Sequence, residues 1–133
     1  MSGLTIVSGL LVANAPVTAV TTKARIYPIS APQTAVAPFI VLNQVGGSDG
    51  LHLNGQNQYP LHRIMVECNA ATGTVAHDLG ELVLNALRNI IKQRVGAFKD
   101  VDVTEAGPEI TDYSDDRTMS RRVLQFYVRF RRA

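Results

Sequence analysis

The chain has 133 residues, a formal net charge of +2, 18% charged residues and 46% hydrophobic ones. That suits one domain around one core, with so little charge that part of the surface is expected to be hidden against partners. Its single cysteine, Cys68, excludes an internal disulfide and a multi-cysteine zinc centre.

Leu4 to Ala13 is largely apolar, and Ala13-Asn14-Ala15 mimics a processing site. No Lys or Arg precedes Lys23, so the basic segment of a secretion signal is missing. No apolar run approaches the roughly 18 residues of a membrane span. The spacing of Leu4, Val7, Leu10 and Leu11 predicts instead a buried helix capped by Ser2. Asn14 and Pro16 then predict the cap and first-turn proline of a short second helix through Val20.

From Arg25 to Val45, Pro28, Pro32 and Pro38 punctuate two apolar runs. Proline fixes φ and donates no backbone hydrogen bond, so two short strands are predicted, joined by a connection that cannot become helix. Residues 46–60 are rich in turn formers and predict a long projecting loop, with Leu51, His52 and Leu53 alternating as in a hairpin arm. Leu61 to Cys68 alternates cleanly, with Ile64, Val66 and Cys68 on one face and Arg63, Met65 and Glu67 on the other.

Thr72 or Thr74 starts the strongest element. Leu79, Leu82, Val83, Ala86, Leu87 and Ile90 keep helical spacing, with Asp78 and Glu81 near the start, Arg88, Lys92 and Arg94 near the end, and Gly96 as the stop. Val101 and Val103 begin a strand that Ile110 to Tyr113 continues past Gly107-Pro108. In the last strand Leu124, Phe126, Val128 and Phe130 point inward, while Gln125, Tyr127, Arg129 and Arg131 point out. All eleven Asp and Glu precede residue 117, and six Arg without an acid follow. Two readings fit this basic tail: phosphate binding, or a strand guarded by charge on its outward positions.

The order predicts an α+β fold spanning residues 1–133. It comprises a largely antiparallel sheet of about five strands, with the N-terminal helix and the long central helix packed on one face. The other face, carrying Arg63, Met65, Glu67, Gln125 and Tyr127, is wet yet suited to a partner.

Chemistry finds little purchase. His52, His62 and His77 are scattered, and His62 lies about 20 Å from Cys68 along one strand, too far to share an ion. Neither metal nor cofactor is expected. Cys68 sits in an apolar register where a thiol is inert packing. There is no Gly-x-Ser-x-Gly elbow, and the glycines at 46, 47 and 50 lack the Gly-Lys-Ser/Thr ending of a phosphate loop. Asp112-Tyr113-Ser114-Asp115-Asp116-Arg117 is the one dense polar cluster, in a turn with no histidine nearby. It reads as a solvated turn or as a source of ion pairs between subunits, and the chain as a non-enzyme.

One combination is more specific than its parts: Arg25-Ile-Tyr-Pro, Ala31-Pro-Gln and Pro38-Phe-Ile-Val, then Arg63-Ile-Met-Val-Glu-Cys and the helix from Val75. Asp112-Tyr113 follows, ahead of Arg122-Val-Leu-Gln-Phe-Tyr-Val. Over nearly its full length this order resembles the tail-completion, or tail-terminator, proteins of long-tailed phages, prophages and gene-transfer agents. The resemblance implies a structural virion protein, a homohexameric ring that caps the tail tube, ends its polymerisation and joins it to the head connector protein. DNA would pass through the lumen without specific binding, and no membrane is involved.

Loop length and charge segregation add three expected contact regions. Asp49, Asn54, Gln56, Asn57 and Tyr59 would meet the tube or a neighbour, and Met65 and Tyr127 would fill the centre of a contact. Asp112, Asp115 and Asp116 would pair with Arg121, Arg122 or Arg129 of the next subunit. The rival readings are another virion joint (a head-closure or tail-tube subunit) and a nucleic-acid-binding module using the Arg-rich last strand.

Overall fold

A computed structural model describes residues 2–21, 25–32, 35–48, 51–52, 55–56, 61–88, 90–106, 109–113 and 119–132. Among the described residues three helices, α1 (Ser2–Val12), α2 (Ala15–Val20) and α3 (Gly73–Leu87), accompany nine strands. The strands are β1 (Ile26–Pro28), β2 (Phe39–Ser48), β3 (Leu51–His52), β4 (Gly55–Gln56), β5 (Leu61–Ala70), β6 (Gln93–Val95), β7 (Phe98–Glu105), β8 (Ile110–Tyr113) and β9 (Ser120–Arg132).

The main sheet has seven strands rather than about five, in the order β1–β2–β5–β9–β7–β6, with β8 also paired to β9. It is mixed, because β1 and β2 run parallel. The non-helical connection between the prolines is long enough to carry the chain back to the same end of the sheet, where a tight hairpin would have reversed it. β2 also extends beyond Val45. A bulge between Gln44 and Gly46 lets Gly46, Gly47 and Ser48 keep pairing with β5, so the loop expected from residue 46 starts later. Within that region β3 and β4 form a separate antiparallel pair.

The helices follow their polar signals with two exceptions. Asn14 caps α2, its side-chain oxygen accepting the Val17 N–H at 3.2 Å, and the Thr72 Oγ1 accepts the Val75 N–H at 3.3 Å to start α3. Ser2 is the first helical residue of α1, not its cap; the Gly3 N–H donates instead to Nδ1 of His62 at 3.1 Å. A buried imidazole from β5 thereby satisfies a helix donor that has no partner of its own.

The second exception is the end of α3. It stops at Leu87, well before Gly96, because the Ile90 carbonyl accepts the Val103 N–H at 3.0 Å and draws the chain onto the edge of β7. Lys92 and Arg94 therefore leave the helix, and neither its first turn nor its last carries the charges expected to match the dipole. Gly96, at φ 58°, turns β6 into β7 instead.

The core lies between the inward face of the sheet and the helices. Ile40, Leu42, Ile64, Val66, Leu124, Val128 and Phe130 meet Leu4, Val7 and Leu11 of α1 and Leu79, Val83 and Leu87 of α3. Each such side chain, fully buried, contributes about 1.5–3 kcal/mol. Cys68 belongs to this layer. Burial pushes its thiol up to about 12; the nearby Arg122 charge opposes the shift and Glu67 adds to it. Native chain is expected to resist alkylation at about pH 8, where denatured chain reacts. The raised value contributes stability below the ordinary thiol value near 9.0 that is lost as pH rises to about 12. Alkylation of the native protein as fast as of the denatured chain would contradict this packing.

Candidate assembly surface

Among the described residues the helices cover one face of the sheet and leave much of the other open. Register sets its rows: Gly46, Arg63, Tyr127 and Thr104 lie side by side, and next to them Ser48, Leu61, Arg129 and Asp102. Tyr127 is 37% exposed, and the Arg63 guanidinium lies 5.9 Å from the centre of its ring. That distance is within cation–π range. The Arg63 Nε is buried and has no hydrogen-bond partner among the described residues. Met65 is half-buried one row away, opposite Gln125. A hollow of about 490 Å³ opens beside Leu61, Tyr127, Arg129, Thr104 and Ile91. This surface combines an aromatic, aliphatic side chains and Arg, residue types that are enriched at protein–protein interfaces.

The other expected contact residues are placed as follows. Gln56 lies in β4 opposite Leu51, while Asp49, Asn54, Asn57, Tyr59, Asp115 and Asp116 fall outside the described residues. In the backbone register of the β8–β9 pair, Asp112 stands opposite Arg121.

Arg122 requires a correction. Expected to reach a neighbouring subunit, it is 4% exposed and engaged entirely within its own chain. Its Nε and Nη2 donate to the Glu109 carboxylate at 3.1 and 2.7 Å, Nη2 also reaches Glu81 at 3.0 Å, and Nη1 donates to the His77 carbonyl at 2.8 Å. Burial works against its charge, but the hydrogen bonds and charges of Glu109 and Glu81 outweigh it and raise the guanidinium above its ordinary value. Arg122 thus ties β9 to α3. The sheet's period carried the signal: Arg122 shares the parity of Leu124 and Phe126 and had to face the helices.

Gly80 makes this possible. A Cβ there would stand 2.5 Å from Cδ of Arg122 and 2.8 Å from Nη1, so the arginine crosses α3 where the helix has no side chain. A glycine inside an otherwise strong helix was the available clue. Ile29 gave none. It sits at φ 72°, with the Ser30 N–H donating to the Pro28 carbonyl at 2.9 Å, a three-residue turn that β-branched residues rarely enter. Ile29 is 53% exposed, and Val36, also between β1 and β2 in the chain, is 58% exposed.

Among the described residues no group of three or more His, Cys, Asp or Glu could hold a metal ion, and no helix is long and apolar enough to cross a membrane. No curated protein sequence matches the chain. Among solved structures it is similar to a chain of the virion of a native gene transfer agent particle, with a TM-score of 0.76 and 17% identity over 96% of this chain and 93% of that one. At that identity the likeness is one of fold. The family model for tail completion protein gp17 matches residues 6–131, nearly the whole chain. By that match the chain belongs to the tail completion protein gp17 family, structural proteins of the phage tail in the virion.

Proposed function

We propose that the chain closes into a six-membered ring on the finished tail tube, ends tube polymerisation and joins the tail to the head connector protein. The observation that carries this reading is the asymmetry of the sheet. One face is packed under α1 and α3, while the other presents Tyr127, Arg63, Leu61 and half-buried Met65 with no cover among the described residues. In a chain matched by a tail completion family, such a face serves partners, and a closed ring of heterologous contacts ends a polymer while offering a new surface to the next component. Asp49, Asn54, Gln56, Asn57 and Tyr59 belong to the same proposal as contacts to the tube, and Arg129 as a contact to the neighbouring subunit.

The test is assembly in producing cells. Without the chain, particles are expected to show tails of uncontrolled length and heads without tails. Tyr127→Glu should reproduce this defect at least tenfold above background while leaving the melting temperature within about 2 °C, because a half-exposed residue contributes little to the fold. Tails of normal length joined to heads in the absence of the chain would sink the reading. Open polymers formed by the purified chain alone would favour a tube subunit.

A further inference from the structure

The two ends of the sheet differ in charge and in shape. At one end the β6–β7 turn, the last residues of β9 and the segment after α3 gather the exposed Lys92, Arg94, Lys99, Arg129 and Arg131, which outnumber the acids Asp100 and Asp102. At the other end α3 begins with Asp78 exposed, and the exposed Glu81 and Glu109 hold the buried Arg122, with half-buried Arg121 beside it on β9. The ten residues of β5 separate the ends by about 33 Å.

Each end also has an apolar feature beside its charges. The basic end holds a groove of about 480 Å³ between α1 and the β6–β7 turn, lined by Ile6, Gly9, Leu10, Val95 and Phe98 and edged by Arg94. Gly9 keeps it open: a Cβ there would meet only Val95, at 3.6 Å. At the acidic end α3 presents Val75, Asp78 and Leu82 at i, i+3 and i+7, a single stripe. Val75 is 40% exposed and Leu82 half-buried. Asp78 and Arg94 are both exposed, and neither forms an ion pair among the described residues.

We propose that the start of α3 in one copy seats in the α1/β6–β7 groove of the next, Val75 and Leu82 against its apolar walls and Asp78 against Arg94. The occupant is a second copy of this chain because the stripe complements the groove: exposed Val75 and the outer part of Leu82, whose inner part packs on its own core, offer apolar surface, and Asp78 offers a charge opposite to Arg94, neither being ion-paired among the described residues. The two patches lie at opposite ends of one molecule, so the contact is head-to-tail and propagates until rotation closes it. This assignment rests on the ring reading above and names the surfaces that build the ring.

Two measurements test it. The Asp78→Cys/Arg94→Cys chain, assembled into particles and oxidised, should give a ladder of disulfide-linked species ending at the ring number, with Cys68 too buried to contribute. In the full-length chain, Asp78→Lys and Arg94→Glu should each lower the ring fraction about tenfold, and the double swap should restore it to within about threefold. Gly9→Leu should fill the groove and abolish association without lowering the melting temperature, since leucine favours the helix. Rings in particles without a ladder, together with single reversals that change nothing, would overturn these surfaces and leave the ring standing. Particles with no ring of this chain would remove both.

Discussion

Arg122→Ala is expected to cost about 3 kcal/mol of stability, the largest loss for any charged residue in the described chain. The guanidinium makes charge-assisted bonds to two carboxylates and a backbone carbonyl from a position that water does not reach. Glu81 and Glu109 are 48% and 43% exposed, so once released they rehydrate; this holds the loss to the lower part of the range for broken buried pairs. Arg122→Lys should recover no more than about 1 kcal/mol, because an ammonium cannot grip Glu109 through two parallel donors. Denaturant titration measures both. A loss under about 1 kcal/mol for the alanine variant would mean that the network is ornamental.

Gly80 supplies the internal control. Alanine is the better helix former by about 1 kcal/mol, yet Gly80→Ala is expected to destabilise by about 2 kcal/mol, because the new Cβ would occupy the path of the arginine. With Arg122→Ala in place that conflict vanishes, and the same Gly80→Ala change should stabilise by up to about 1 kcal/mol. The change of sign is the diagnostic result. Additive effects in the double mutant would show that the two residues do not share one site.

What the chain disclosed about itself follows from the range of the forces involved. Local signals were legible: the alternation of Ile64, Val66 and Cys68, the helical spacing of Leu79, Val83 and Ala86, and the caps at Asn14 and Thr72 all appear where their periods and side-chain oxygens put them. Outcomes decided by competition between distant segments were not. α3 ends at Leu87 because Ile90 finds a partner in Val103, a contact that helical spacing cannot register. The parallel β1–β2 pair arises from the path taken between two prolines, and the Ser2 cap yields to His62, which holds Gly3 from fifty-nine residues away. The site divides in the same way. Tyr127 and Arg63 were legible as outward residues, whereas Arg122 looked like a free charge until the helix that covers it, and the glycine that admits it, were in view.

Phe130→Ala should be more damaging still, at about 4 kcal/mol and a fall in melting temperature of roughly 15 °C. Phe130 is fully buried near the end of β9, edge-on to His62 at 5.1 Å and to Phe98 at 5.3 Å between ring centres. It therefore supports two things at once. His62 holds the first turn of α1 through Gly3, where an added Cβ would come within 2.8 Å of the His62 Cβ and 2.9 Å of its Nδ1, so there is no slack for rearrangement. Phe98 forms one wall of the groove proposed to receive the neighbouring copy. Removing the ring leaves a cavity beneath both, and the close packing around Gly3 limits collapse, which places the cost towards the upper part of the range for such truncations. Phe130→Leu, which keeps most of the volume, should lose only about 1.5 kcal/mol. Below its melting temperature the alanine variant should also associate less well than its residual fold predicts, since α1 and the β6–β7 turn lose their common support. A leucine variant as unstable as alanine would place the effect in the aromatic contacts rather than in filled volume, and an alanine variant losing under about 1.5 kcal/mol would show that this end of the core repacks freely.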